Sequence, residues 1–149
     1  MSELVSGEKE ISKLLLYLAM ENFGKNEFAE QFRSRTKKFV IDNIKLYRSL
    51  PKTEEARIIG KQLLRSSSSV GANYRAACRT RSQAEFHSKI SIVVEEADES
   101  LFWMEVLIEA DIIKQSEIVV LMNEANEILK VTSSARKTIS EKNNSKFNK

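Results

Sequence analysis

Apolar residues recur at three- and four-residue intervals along most of the chain, and their phase divides it into four helical segments. From Glu27 to Leu50, Phe28, Phe32, Phe39, Ile44 and Tyr47 follow close to helical spacing. Pro51 ends that segment, because its ring removes an amide donor and disfavours helix at the residue before it. Thr53 is placed to cap a second helix, with Glu54 and Glu55 at its positive end. Ser82-Gln83-Ala84-Glu85 reads as a capping box that opens a third helix: the Ser82 hydroxyl meets the Glu85 amide and the Glu85 carboxylate reaches back. Ser116 is the expected cap of a fourth helix ending near Ser134. The connections are short, so the expected fold is all-α, an antiparallel up-down-up-down four-helix bundle over residues 27–135.

The stretch RSSSSVGANYRAACRTRS, residues 65–82, looks like a linker. A helical wheel gives a different reading. Ile59, Leu63, Ser66, Val70, Tyr74 and Ala77 share one face with no break in phase. The serines then lie in a helix interior whose small side chains let a neighbour approach closely. Gly71 costs about 1 kcal/mol against alanine there, which a packed partner can offset. Ser69 and Asn73 are expected to serve helix packing, Asn73 by hydrogen bonds between helices. A flexible serine hinge is the alternative.

The third helix carries two apolar stripes. Phe86, Ile90, Val93, Ala97, Leu101, Met104 and Ile108 form one. Ile92, Trp103, Val106 and Ala110 form a second on nearly the opposite side, with Phe102 beside it. A single bundle buries one face of each helix, so the second stripe predicts contact with another subunit.

Both ends fall outside this pattern. Residues 1–26 read as an N-terminal extension whose apolar run, Leu14 to Met20, is too short to span a bilayer and lacks a signal peptide's basic start. It is expected to be a short amphipathic helix, and Met20 is a candidate natural start. Residues 136–149, RKTISEKNNSKFNK, are polar and expected to be a frayed basic tail.

Composition narrows the function. Four glycines and one proline in 149 residues leave little to break a helix. The single cysteine, Cys78, excludes a disulfide framework within the chain and any thiolate-rich metal site. A reducing, cytoplasmic setting is expected. Arg75, Arg79 and Arg81 stand near Cys78 and would lower its pKa, while burial as a small apolar residue is the commoner fate. The net charge is +3. The tail from Arg136 holds five basic residues and one acidic one, so the remainder is close to neutral and its overall pull on nucleic acid is modest. Binding would need a local patch. Arg33, Arg35, Lys37 and Lys38 on the first helix offer one. Arg57, Lys61, Arg65, Arg75 and Arg79, a stripe on the second, offer another. A solvated face is the more usual fate of such a charge stripe.

Enzyme chemistry finds no support in the motifs. A carboxylate-bridged di-iron site in a bundle needs Glu-x-x-His from two helices. The only histidine, His87, has Ala84 three residues before it and reads as a surface residue. There is no glycine-rich phosphate loop and no nucleophile elbow. No metal and no cofactor are expected.

Three segments together resemble a known family: Ser69-Val70-Gly71-Ala72-Asn73, then Ser82-Gln83-Ala84-Glu85-Phe86-His87-Ser88-Lys89, then Glu96-Ala97-Asp98-Glu99-Ser100-Leu101-Phe102-Trp103. In this combination the chain resembles the 23S rRNA intervening-sequence proteins of bacteria over roughly residues 27–135. It departs from many members at Ala76, where they have glutamate. The resemblance implies a bundle assembling as a homo-oligomer, with a pentameric ring favoured. A related branch of that family looks like the accessory proteins of diversity-generating retroelements, which bind a reverse transcriptase and nucleic acid through a strongly basic surface; by that relation the resemblance implies a protein partner such as a reverse transcriptase, or RNA or DNA itself. The expectation is a non-catalytic scaffold that binds a protein engaged in nucleic-acid metabolism. Direct RNA or DNA binding is the alternative, and no membrane role is expected.

Overall fold

The structure is a computed structural model and describes residues 27–147. The expected N-terminal extension, with the apolar run from Leu14 to Met20, lies outside the described residues. Four helices follow one another: α1 (Glu27–Ser49), α2 (Glu54–Ala77), α3 (Gln83–Glu109) and α4 (Gln115–Phe147). Each packs antiparallel on the next, α2 against α3 most extensively, while α1 and α4 touch only lightly. The bundle is therefore open along the α1–α4 seam. No helix among the described residues is long and apolar enough to cross a membrane.

The helix starts follow from their caps. Thr53 Oγ1 accepts from the Ala56 amide at 3.4 Å, and Ser82 Oγ from the Glu85 amide at 3.1 Å. The Glu85 carboxylate reaches back one residue further than expected, taking the Arg81 amide at 3.0 Å. The cap expected at Ser116 is corrected: α4 begins at Gln115, and the Glu117 carboxylate accepts from the Lys114 amide at 3.0 Å. The α3–α4 turn places Asp111 in the left-handed region, φ 56°. Aspartate tolerates that conformation better than most residues because its short polar side chain can bond locally.

The serine-rich stretch is helix as far as Ala77, and Leu63, Ser66, Val70, Tyr74 and Ala77 are buried. Ser100 Oγ donates to Ser66 Oγ at 2.9 Å across the α2–α3 contact, with both residues fully buried. Ser66 donates its own proton to the Leu63 carbonyl, and the single Ser100 proton is shared between Ser66 Oγ and the Glu96 carbonyl, so close approach leaves neither hydroxyl unsatisfied. Gly71 lets α1 approach: a Cβ there would stand 2.6 Å from Val40 Cγ2. Gly60 does the same one end away, where a Cβ would meet Leu50 Cδ1 at 2.7 Å and Tyr47 Cδ2 at 2.8 Å. Asn73 is a correction: its amide donates to Ser69 O and Oγ, both at 2.9 Å, within α2 rather than between helices.

The tail expected to fray from Arg136 is instead helix as far as Phe147. Ala135 and Ile139 are buried, and His87 of α3 shares a hydrogen bond of 2.9 Å with Ser140. The core stripe of α4 thus runs on through a polar sequence. Ile139 supplies its apolar anchor, and α3 is long enough to give that anchor something to pack on. His87, expected at the surface, is half-buried and part of this contact.

Candidate functional site

Two surfaces gather the residues nominated from sequence. The first is the outward band of α3. Ile92, Trp103 and Val106 are half-buried, Ala110 is exposed, and Phe102 is 52% exposed. The Phe102 and Trp103 rings meet edge to face, centroids 4.9 Å apart. The antiparallel register set by Ser66 and Ser100 brings Ile58 of α2, 54% exposed, level with the C-terminal turns of α3 beside this band. One edge is polar. Trp103 Nε1 donates to Glu99 Oε1 at 3.0 Å, and Arg65 pairs with both Glu99 and Glu96. The Arg65 guanidinium, with help from Trp103, holds the Glu99 carboxyl below the usual glutamate range. Sequence reasoning found the α3 residues but not Ile58, because only the register of two helices puts it there.

The second surface is a groove of about 580 Å³ between α1 and α2. Close contact at Gly71 aligns the helices so that Arg33 and Lys37 of α1 stand opposite Arg75 and Arg79. Val40, Ile41, Gly71 and Ala72 form an aliphatic floor, Ser34 and Ser68 add hydroxyls, and Glu30 adds the one carboxylate of the lining. Arg33 pairs with Glu30 on its own helix. Lys37, Arg75 and Arg79 are exposed and have no ion-pair partner among the described residues.

The other nominated cations are elsewhere and mostly neutralised. Arg35 makes a two-pronged pair with Glu124 of α4, at 2.5 and 2.9 Å, and Lys38 pairs with Asp42. Both line the cleft along the α1–α4 seam, about 620 Å³ with Phe39, Leu46 and Leu121 in its wall. Arg57 pairs with Glu54, and Arg65 with α3 as above. Lys61 is exposed on α2. The two basic patches drawn from sequence are therefore split and recombined, two residues of each meeting in the α1–α2 groove.

The near-neutral total hides an uneven distribution of charge. The chain reversals bring residues 27–38, 66–94 and 131–147 to one end of the bundle. Counted as far as Ser145, that end holds eleven basic side chains and four acidic ones; the other, residues 39–65 and 95–130, holds eight and thirteen. The helical tail adds Arg136, Lys137 and Lys142 to the basic end. The protein is near neutral in sum and strongly polarised in space.

Cys78 is buried, and burial pushes its thiol up despite the opposing pull of Arg33 and Arg79. It packs beside Tyr74, whose hydroxyl is likewise raised by burial. Among the described residues, no three histidine, cysteine or acidic side chains stand close enough to hold a metal ion.

Fold and surfaces together define the class: an all-helical bundle whose distinctive chemistry lies on its outside, in one apolar band and one basic groove. Comparison with known proteins gives the family. The sequence profile described as 23S rRNA-intervening sequence protein matches residues 17–134, and the chain belongs to that family. A crystal structure of a protein of unknown function from the S23 ribosomal protein family of Bacteroides thetaiotaomicron is similar, with 31% identity and a TM-score of 0.68. The match covers 73% of this chain and 97% of that one. No curated protein matches.

Proposed function

We propose that the protein is a non-catalytic scaffold that assembles with copies of itself, in the five-membered ring the family resemblance favours, and holds a protein partner that acts on nucleic acid. The observation that carries the reading is the outward band of α3. Phe102, Trp103 and Val106 of α3, with the exposed Ile58 of α2 level with the C-terminal turns of that helix, present apolar side chains next to an ion-paired edge. A face of this composition resembles the apolar centre and polar rim of subunit interfaces. Aromatic residues there tend to dominate the binding energy.

The test is the assembly state by light scattering after size-exclusion chromatography. Trp103→Ala and Val106→Glu are each expected to lower the mass of the assembly while the helical circular dichroism stays intact. An unchanged mass in both variants would refute the assembly reading.

A further inference from the structure

We propose that the α1–α2 groove is a binding site for the sugar–phosphate backbone of one nucleic-acid strand, taken without regard to sequence. Elsewhere on the bundle, the nominated cations other than Lys61 have partners: Arg35 faces Glu124, Lys38 faces Asp42, Arg57 faces Glu54, and Arg65 faces Glu96 and Glu99. Lys37, Arg75 and Arg79 collect in this groove with no such partner among the described residues, and Arg33 joins them with one of its nitrogens on Glu30. Antiparallel pairing of the two helices sets the four cations within about two helical turns, ~11 Å along the axis. Each helix contributes a pair one turn apart, so successive phosphates can be met from both walls at once.

The shape selects the occupant. Helices packed ~8–10 Å apart leave a furrow for one strand. A duplex does not enter it, since its major groove alone is ~12 Å wide. The floor of Val40, Ile41, Gly71 and Ala72 contains no aromatic ring, so there is no platform on which bases stack. What remains is charge and hydroxyls, the chemistry of backbone contacts that position a strand without reading it. The groove also lies at the basic end of the polarised bundle, where the wider field attracts a polyanion towards it. This site stands apart from the α3 band, so it holds whether or not that band assembles copies.

The experiment is fluorescence anisotropy with the full chain and a short labelled oligouridylate over a salt series, the assembly mass being recorded for every variant. Four phosphate contacts on a single strand give a log–log salt slope of roughly −3. The double variant Arg75→Glu/Arg79→Glu is expected to lose at least tenfold in affinity and to flatten the slope by roughly 1.4. Lys61→Glu, an exposed cation outside the groove, is expected to leave both nearly unchanged. Should the charge reversal unfold the protein, Arg75→Gln/Arg79→Gln replaces it with the same expected flattening of the slope. Wild-type binding in a folded groove variant would overturn the proposal. So would binding that falls with Arg136→Gln/Lys137→Gln/Lys142→Gln and not with the groove variant. Loss of assembly in the groove variant would assign the groove to a neighbouring copy. Displacement of the RNA by polyglutamate at equal charge would assign it to an acidic protein segment. Either result also overturns it.

Discussion

At the scale of single residues, the bundle depends on side chains that are missing as much as on those present. Gly60 and Gly71 sit where a methyl group would enter a neighbour's van der Waals space. At Gly60 the obstacles are the Leu50 and Tyr47 side chains at the α1–α2 turn, where Leu50 is buried. Alanine there gains about 1 kcal/mol of helix propensity. Overpacking costs about 1–3 kcal/mol. Gly60→Ala is therefore expected to lose about 1 kcal/mol net, read as a lower midpoint of urea unfolding; a higher midpoint would show the turn to be loosely packed. Glu99 makes a pH statement at the same scale. Its folded-state pKa lies below its unfolded value, first because of the Arg65 hydrogen bond and then that of Trp103. The stability it adds is thus complete above its unfolded pKa and is lost as pH falls through the folded one. The groups are partly exposed, so the effect is below about 1 kcal/mol. Glu99→Gln is expected to lose that contribution at neutral and alkaline pH and to converge with the wild type in acid, so that the fall in stability on the acid side is flatter, measured by unfolding at a series of pH values.

At the scale of the helices, three were legible almost to the residue. Proline, threonine and serine mark their limits with local chemistry, and apolar periodicity marks their inner faces. What escaped the pattern was polar. Thr36 and Asn43 complete the buried face of α1, Thr36 bonding the Arg33 carbonyl and Asn43 the Phe39 carbonyl. Thr36 is satisfied on its own helix and so can be buried without appearing hydrophobic, whereas Asn43 spends only its amide N–H there and leaves its buried Oδ1 without a hydrogen-bond partner among the described residues. The end of α4 escaped for a related reason. RKTISEKNNSKFNK reads as solvent-loving because one isoleucine among polar residues is a weak signal. Its helicity comes from docking on α3, as expected where tertiary contact outweighs propensity. Ile139→Ala removes that anchor and is expected to cost about 2 kcal/mol. Thermal melting should show a midpoint lower by roughly 5–10 °C. His87→Ala should give a smaller fall in the same direction. No change in either would mean that residues beyond Ala135 add nothing to the fold.

At the scale of the whole molecule, the two candidate surfaces were legible to different degrees. The α3 band belongs to one helix, and a wheel drawn on one helix can find it. The groove belongs to two helices, and nothing in linear order says that Arg33 and Lys37 will face Arg75 and Arg79 while Arg35 and Lys38 turn towards α4. That sorting depends on where the glycines let the backbones meet. The charge separation is a further step removed, because it comes from the reversals of the chain rather than from any stretch of it. It has a geometric consequence. A rod with unlike poles has a heading. When such rods stand side by side around a common axis, every pole of one sign falls on the same rim, and the poles add. An assembly built that way is a two-sided object, with an obverse that draws anions and a reverse that repels them. A strand meeting the obverse would find one groove per copy, and a second partner could occupy the reverse without competing for it.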